Sequence, residues 1–353
     1  MNNPEHLIKK IGAGTASWDD FSNFLNLKYN LKPFFKLANR IRTNNFGNQI
    51  KIYIPDKRFP AISITGSKCA LQCEHCNEKY LDGMKHATTP RKLETLLLNL
   101  SKNEGVGALI SGGCEDDGSV PLLGFLDVIK KVKNQTNLII NTHTGFLNEE
   151  TAKKLADTKV DIVSLDVNID EEILKEIYHL DKNIGDYKES IKLLKKYDLN
   201  IVPHICIGLY YGKLHKELDS IKFIKEIIVN PSLIVLIALI APISPEEKRK
   251  KFSAPNPIDI AKVILVLRYL FPKTELSLGC MRPRGALKVE VEQHAMLAGI
   301  NRIEIPSKRT LRWAKKQYPE MKFEFYSACC AIPERFEKYA ESFKKDISRY
   351  SNI

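Results

Sequence analysis

From about Ala61 onward, short runs rich in aliphatic and β-branched residues alternate with stretches whose apolar residues recur every three or four positions. A period near two predicts a strand and a period near 3.6 predicts a helix, so the alternation reads as successive parallel βα units. The expected strands are 61–65, 107–111, 138–142, 161–166, 201–207, 233–240, 275–278 and 301–305. The expected helices between them are 91–102, 122–132, 149–157, 187–196, 214–228, 257–270 and 286–297. Eight such units predict an α/β fold of the (β/α)₈ TIM-type barrel class, full or nearly full. An open doubly wound sheet would place a glycine fingerprint after its first strand. A cysteine cluster stands there instead.

Residues 1–60 precede the first strand and read as an N-terminal helical extension, with Phe34, Phe35, Leu37 and Ile41 on an apolar face. Residues 61–306 form the expected barrel, and 307–353 a C-terminal helical tail that carries Cys329 and Cys330. Neither an internal repeat nor a low-complexity linker divides the chain. One domain with two extensions is therefore expected.

With 353 residues and 44% hydrophobic content, the chain can bury a large core. Its net charge is +12, but the basic residues are spread along the chain and not gathered into a tract with interleaved aromatics. A nucleic-acid partner is not expected. The start carries charges without a signal-type apolar segment, and no stretch reaches the length that spans a bilayer, so a cytoplasmic protein without membrane contact is expected. In that compartment thiols stay reduced. The eight cysteines then read as ligands, catalytic groups or small core residues.

Three of them, Cys69, Cys73 and Cys76, follow the first strand at a Cys-x₃-Cys-x₂-Cys spacing. Three thiolates this close can wrap one metal centre, and soft sulfur suits an iron–sulfur cluster. A four-iron cluster held by three cysteines keeps one iron open for a ligand, as catalytic zinc keeps an open position. The competing closed site is zinc with His75 or His86 as fourth ligand, but a second cysteine knuckle is absent. A non-enzymatic cluster carrier is the alternative from another class, and it leaves unexplained the polar residues gathered at later strand ends.

Those residues are Gly112, Gly113 and Glu115 after strand two, Asn141 and His143 after strand three, Asp166 after strand four, and His204 and Gly208 around strand five. Each alone is a common cap or buried polar group; in a barrel all fall on the catalytic face. Strand seven leads to Cys280, Arg282 and Arg284, where arginine forks suit a carboxylate or phosphate. If the tail folds over the mouth, Cys280, Cys329 and Cys330 can hold an auxiliary cluster. Cys206, inside an apolar strand, reads as core.

Cys69, Cys73 and Cys76, in their place after the first strand, resemble the signature of the radical S-adenosylmethionine (radical SAM) superfamily. The resemblance implies a [4Fe-4S] cluster and S-adenosyl-L-methionine as cofactors, and cleavage of the latter to a 5′-deoxyadenosyl radical that abstracts hydrogen. His75 stands where the family commonly has an aromatic residue, and Cys114 where its Gly-Gly-Glu stretch has the acid. By the same resemblance Gly112, Gly113 and Glu115 contact the amino group, Asp166 the ribose, and the 205–208 segment the adenine. Asn141, His143, His204 and Arg282 join the expected cofactor-binding set. The strings 111–121, 204–212 and 277–285 resemble the biotin-synthase-related branch with its archaeal members. Among these, two-component lipoyl synthases insert sulfur into an octanoyl chain on a lysine. The resemblance thus implies a transferase with a second radical SAM polypeptide, an octanoylated carrier protein or peptide as substrate, and an electron donor such as ferredoxin. Another acyl, peptide or cofactor precursor is the alternative substrate.

Overall fold

The computed structural model describes residues 4–26, 28, 30–242, 251–343 and 347–350. All eight expected strands form: β2 (Ala61–Ser63), β4 (Gly107–Ser111), β5 (Ile139–His143), β6 (Ile162–Asp166), β7 (Ile201–Ile207), β8 (Leu233–Ala238), β9 (Glu275–Leu278) and β10 (Arg302–Glu304). They lie side by side in chain order, every pairing parallel. The helices Glu149–Asp157, Pro257–Leu270 and Ala286–Leu297 begin and end where the periodicity places them. Asn148 and Asn256 cap the first two with side-chain oxygens that accept helix-start N–H groups, and Pro257 fills a position whose N–H would be orphaned anyway.

Three further strands alter the expected outline. β1 (Gln49–Tyr53) and β11 (Lys322–Tyr326) extend the sheet beyond β10, and β3 (Lys85–His86) extends it beyond β2. The segment before Ala61 is therefore not only helical, because β1 pairs with both β10 and β11. Likewise the tail supplies a strand before its short helical turns. The eleven-stranded sheet is open, with β11 and β3 as its edges. Beside the β11 edge, residues 340–342 run back antiparallel to its end. There the Arg58 guanidinium, in the loop before β2, donates to the carbonyls of Glu341 and Glu104.

Alternating side chains sort each strand into two buried layers. Ile50, Ile52, Ile140, Val163, Ile205, Leu236, Leu276 and Ile303 face the helices. Tyr53, Ile139, Ile162, Val202, Leu233 and Val235 face the lumen, where they pack against Tyr326, Ala328, Cys330, Ala331 and Ile332 of the tail. The tail thus fills the lower lumen as a plug. Buried ion pairs fix it there: Lys51 contacts Glu275 and Glu337, each at 2.9 Å, and Arg302 contacts Glu337 at 2.8 Å as well as Glu275. Arg302 also donates to the carbonyls of Cys330 and Ile332. No helix among the described residues is long and apolar enough to cross a membrane.

Candidate active site

Above this plug, at the C-terminal ends of the strands, lies a cavity of about 450 Å³. Cys69, Cys73, Cys76, Gly112, Gly113, His143, Asp166 and His204 all line it, as do Cys280, Cys329 and Cys330. These residues thus reach one chamber from six strand ends and the tail. Barrel geometry explains this: residues leaving parallel strands at the same end share one mouth.

The cysteine loop is held against the end of β4. The Gly113 N–H donates to Thr65 Oγ1 at 2.7 Å, and the Cys114 N–H points at Cys69 Sγ from 3.3 Å. A Cβ on Gly113 would lie 2.1 Å from the Lys68 carbonyl and 2.6 Å from Cys69 Cα, so this glycine exists for the loop's close approach. The Cys114 thiol, together with backbone N–H groups of Cys114, Leu71 and Gln72, holds Cys69 down to about 5 despite burial. Cys76 is lowered by its hydrogen bond with Cys73, while Cys73 and Cys114 are pushed up by their thiol partners and by burial. Donors and thiols are arranged to favour thiolate at Cys69 and Cys76, the protonation state a metal requires.

The histidines are neutral. Burial pushes His75 and His204 down to about 4 and lowers His143 as well. His143 and His204 meet edge to face with centroids 5.1 Å apart, and His75 packs 5.6 Å from the Tyr178 ring. His86 is not near a cysteine partner set; its Nε2 lies 3.2 Å from the Leu81 carbonyl. Asp166 Oδ1, His75 Nδ1 and Asn141 Nδ2 are buried with no partner among the described residues. Orphaned buried polar atoms are costly, so such a group beside a cavity fits a polar ligand.

Several expected assignments are corrected. Glu115 is exposed outside the cavity lining, and its N–H is spent on the Ser119 carbonyl. Gly208 does not line the chamber either; its N–H donates to Glu217 and its φ of +73° serves a turn packed on Pro255. Ile205 and Ile207 face the helices, so only Cys206 of the 205–208 segment reaches the cavity, and it also packs against the buried cluster of Ile173, Ile177, Leu209, Leu239 and Phe252. Arg282 is buried away from the chamber, paired with Glu292 at 2.6 Å and donating to the carbonyls of Gly279 and Glu304. It shapes the loop that presents Cys280. Asn141 stays in the lumen, where its Oδ1 accepts from Ser164 at 3.0 Å.

Sequence reasoning missed Glu304, Tyr178 and Tyr187, which also line the chamber. For Glu304 and Cys206 a signal existed: each is two residues from another lumen-facing side chain, Arg302 and His204, and strand parity carries both inward. Tyr178 comes from a connecting segment whose course over the mouth no periodicity encodes, and Tyr187 lies in the first turn of the helix Ile184–Lys196.

The model of the radical SAM superfamily matches residues 63–224, the stretch that carries the three cysteines and strand ends ringing the chamber. The chain's curated relatives include biotin synthases. It is 25% identical over 285 residues to a biotin synthase of Buchnera aphidicola subsp. Acyrthosiphon pisum (strain APS), covering 77% of this chain and 78% of that one. A biotin synthase of Rhodopseudomonas palustris (strain BisB5) is 21% identical over 258 residues, at 69% and 71% coverage. Two solved structures share the fold. They are methylornithine synthase (TM-score 0.62, 16% identity, 98% of this chain and 95% of that one) and the FeFe-hydrogenase maturase HydG from Carboxydothermus hydrogenoformans (TM-score 0.67, 15% identity, 94% and 81%). The cofactors are accordingly a [4Fe-4S] cluster and S-adenosyl-L-methionine. The thiols of Cys69, Cys73 and Cys76 and the orphaned atoms around the chamber fit both.

Proposed function

We propose that this chain is a cytoplasmic sulfurtransferase of the lipoyl-synthase type, which inserts sulfur into an octanoyl chain carried on a lysine of a protein or peptide. It would act with a second radical SAM polypeptide and a ferredoxin-like electron donor. The observation that carries the reading is the chamber itself. Thiols for the radical-generating cluster stand on one side, more thiols on the other, and Leu71, Leu81, Leu165, Val235, Ile237 and Leu239 line the walls. An apolar wall takes an alkyl chain in preference to a polar precursor.

When bound, the cluster and S-adenosylmethionine supply a 5′-deoxyadenosyl radical. In this reading Cys69, Cys73 and Cys76 are the ligands, Asp166 accepts from ribose hydroxyls, and Gly112 and Gly113 let the cysteine loop approach the cofactor. The neutral histidines add polarity without charge. The apolar wall holds the acyl chain in reach and excludes water, which keeps the radical from other partners.

Anaerobic incubation of the reconstituted chain with reductant, S-adenosylmethionine, an octanoyl-lysine peptide and the partner polypeptide tests the reading. It predicts 5′-deoxyadenosine together with a peptide mass increased by sulfur. Cofactor cleavage with the octanoyl peptide unchanged, and sulfur appearing in another precursor, would overturn the substrate while leaving the radical chemistry.

A further inference from the structure

One side chain that is not a thiol closes the three-cysteine loop on itself. Glu78 follows Cys76 by two residues and reaches back across the loop, where its Oε1 accepts the Cys69 N–H at 3.1 Å. The Glu78 N–H in turn points at the Cys76 sulfur. A single residue thus grips the first cysteine through its side chain and the last through its backbone. Glu78 also lines the chamber beside both.

The backbone shows that this position is held in place against its own preference. Gln72, Asn77 and Glu78 all have left-handed φ values, of +47°, +42° and +63°. Glycine adopts that region freely and asparagine fairly readily, but glutamate does so rarely. What the conformation achieves is a direction for N–H groups. Those of Leu71 and Gln72 turn toward the Cys69 sulfur, and those of Asn77 and Glu78 toward the Cys76 sulfur. Successive N–H groups in such turns make a concavity for an anion, here a thiolate. Beyond Glu78 the chain turns again at once, its carbonyl accepting the Leu81 N–H at 2.9 Å where the turn Leu81–Gly83 begins. Glu78 therefore stands where the loop must end, and its carboxylate supplies the acceptor that the half-buried Cys69 amide would otherwise lack.

We infer that Glu78 is a positioning residue for the radical-generating cluster: its carboxylate clamps the Cys69 amide and holds the two outer cysteines of the loop in place before iron arrives. A loop ordered in advance loses less conformational freedom when its thiolates are taken up, so the bound iron is retained longer. The inference rests on Cys69, Cys73 and Cys76 as ligands and is independent of the substrate.

The test compares Glu78→Gln and Glu78→Gly in the full chain. Glutamine keeps an acceptor oxygen in nearly the same place. Glycine suits the left-handed backbone better than glutamate but has no acceptor, so it separates the clamp from backbone preference. In the cluster-free proteins, hydrogen–deuterium exchange of peptides spanning Cys69 should be about tenfold faster in Glu78→Gly than in wild type, and about threefold faster in Glu78→Gln, whose neutral hydrogen bond is weaker. After anaerobic reconstitution with iron and sulfide, loss of iron to a chelator should follow the same order. Asn77→Gly, a glycine at the adjacent left-handed position, should leave Cys69 exchange as in wild type. Thermal unfolding followed by circular dichroism should not fall in any of the three, because the clamp closes a loop and not the core.

Protection at Cys69 and iron retention in Glu78→Gly equal to wild type overturn the inference. So does a Glu78→Gln protein no better than Glu78→Gly, which leaves no part for an acceptor oxygen. Equal loss in Asn77→Gly assigns the effect to chain flexibility and overturns it too, as does faster exchange across the whole chain with a lowered unfolding temperature.

Discussion

Tyr53 of β1 donates a 2.6 Å hydrogen bond to Glu337 of the tail, 284 residues away. The same carboxylate takes Lys51 and Arg302, so β1, β10 and the tail are tied together inside the barrel. Lys51, Arg302, Glu275 and Glu337 are each less than one-tenth exposed. Removing one acid leaves buried positive charge uncompensated.

Glu337→Ala should therefore destabilise the protein by about 3–5 kcal/mol, as for a buried pair broken on one side. Limited proteolysis should then release the tail first. Equal resistance of the tail in wild type and variant would show that the network does not anchor it.

Gly113→Ala should disturb the cysteine loop, since the added methyl overlaps the Lys68 carbonyl and Cys69 backbone. Overpacking of this kind costs about 1–3 kcal/mol, and iron retention at the first site should fall with it. Gly124→Ala, where nothing lies within 4 Å, is the matched control. The two are compared by iron analysis and thermal unfolding.

Asp166→Ala should weaken S-adenosylmethionine binding about ten- to a hundredfold while leaving cluster iron in place, because a charged hydrogen bond contributes roughly 1.5–3 kcal/mol. Equilibrium binding to the reconstituted protein measures it. Unchanged affinity would remove Asp166 from the cofactor contacts, despite its unpartnered Oδ1.

Acid should destabilise the cluster-free protein through His204. Its folded pKa, near 4, lies below the ordinary 6.5, so the unfolded chain binds the proton first as pH falls. The contribution is fully present above about 6.5, declines between about 6.5 and 4, and is constant below that. One such shift amounts to about 3 kcal/mol at most. Denaturant unfolding at several pH values in that window should show a shallower pH slope for His204→Gln than for wild type, and parallel slopes would contradict the assignment.

How much of this was legible beforehand follows from the range of each interaction. Period and punctuation are local, so all eight barrel strands, the helices Glu149–Asp157, Pro257–Leu270 and Ala286–Leu297, and the three-cysteine loop could be read directly. Strand ends could also be assigned to one face, because parallel strands fix direction; His143, Asp166 and His204 reached the chamber for that reason. Glu115 and Gly208 did not, since a loop residue's direction depends on the turn it enters and not on its distance from a strand. Strands β1 and β11 join each other across the whole chain, and no local pattern announces such a pair. The open sheet, the plug in its lumen and the meeting of Glu304 with Cys329 and Cys330 were decided by tertiary structure alone, because buried charges such as Lys51 and Glu275, 224 residues apart, find partners only after the strands between them have assembled.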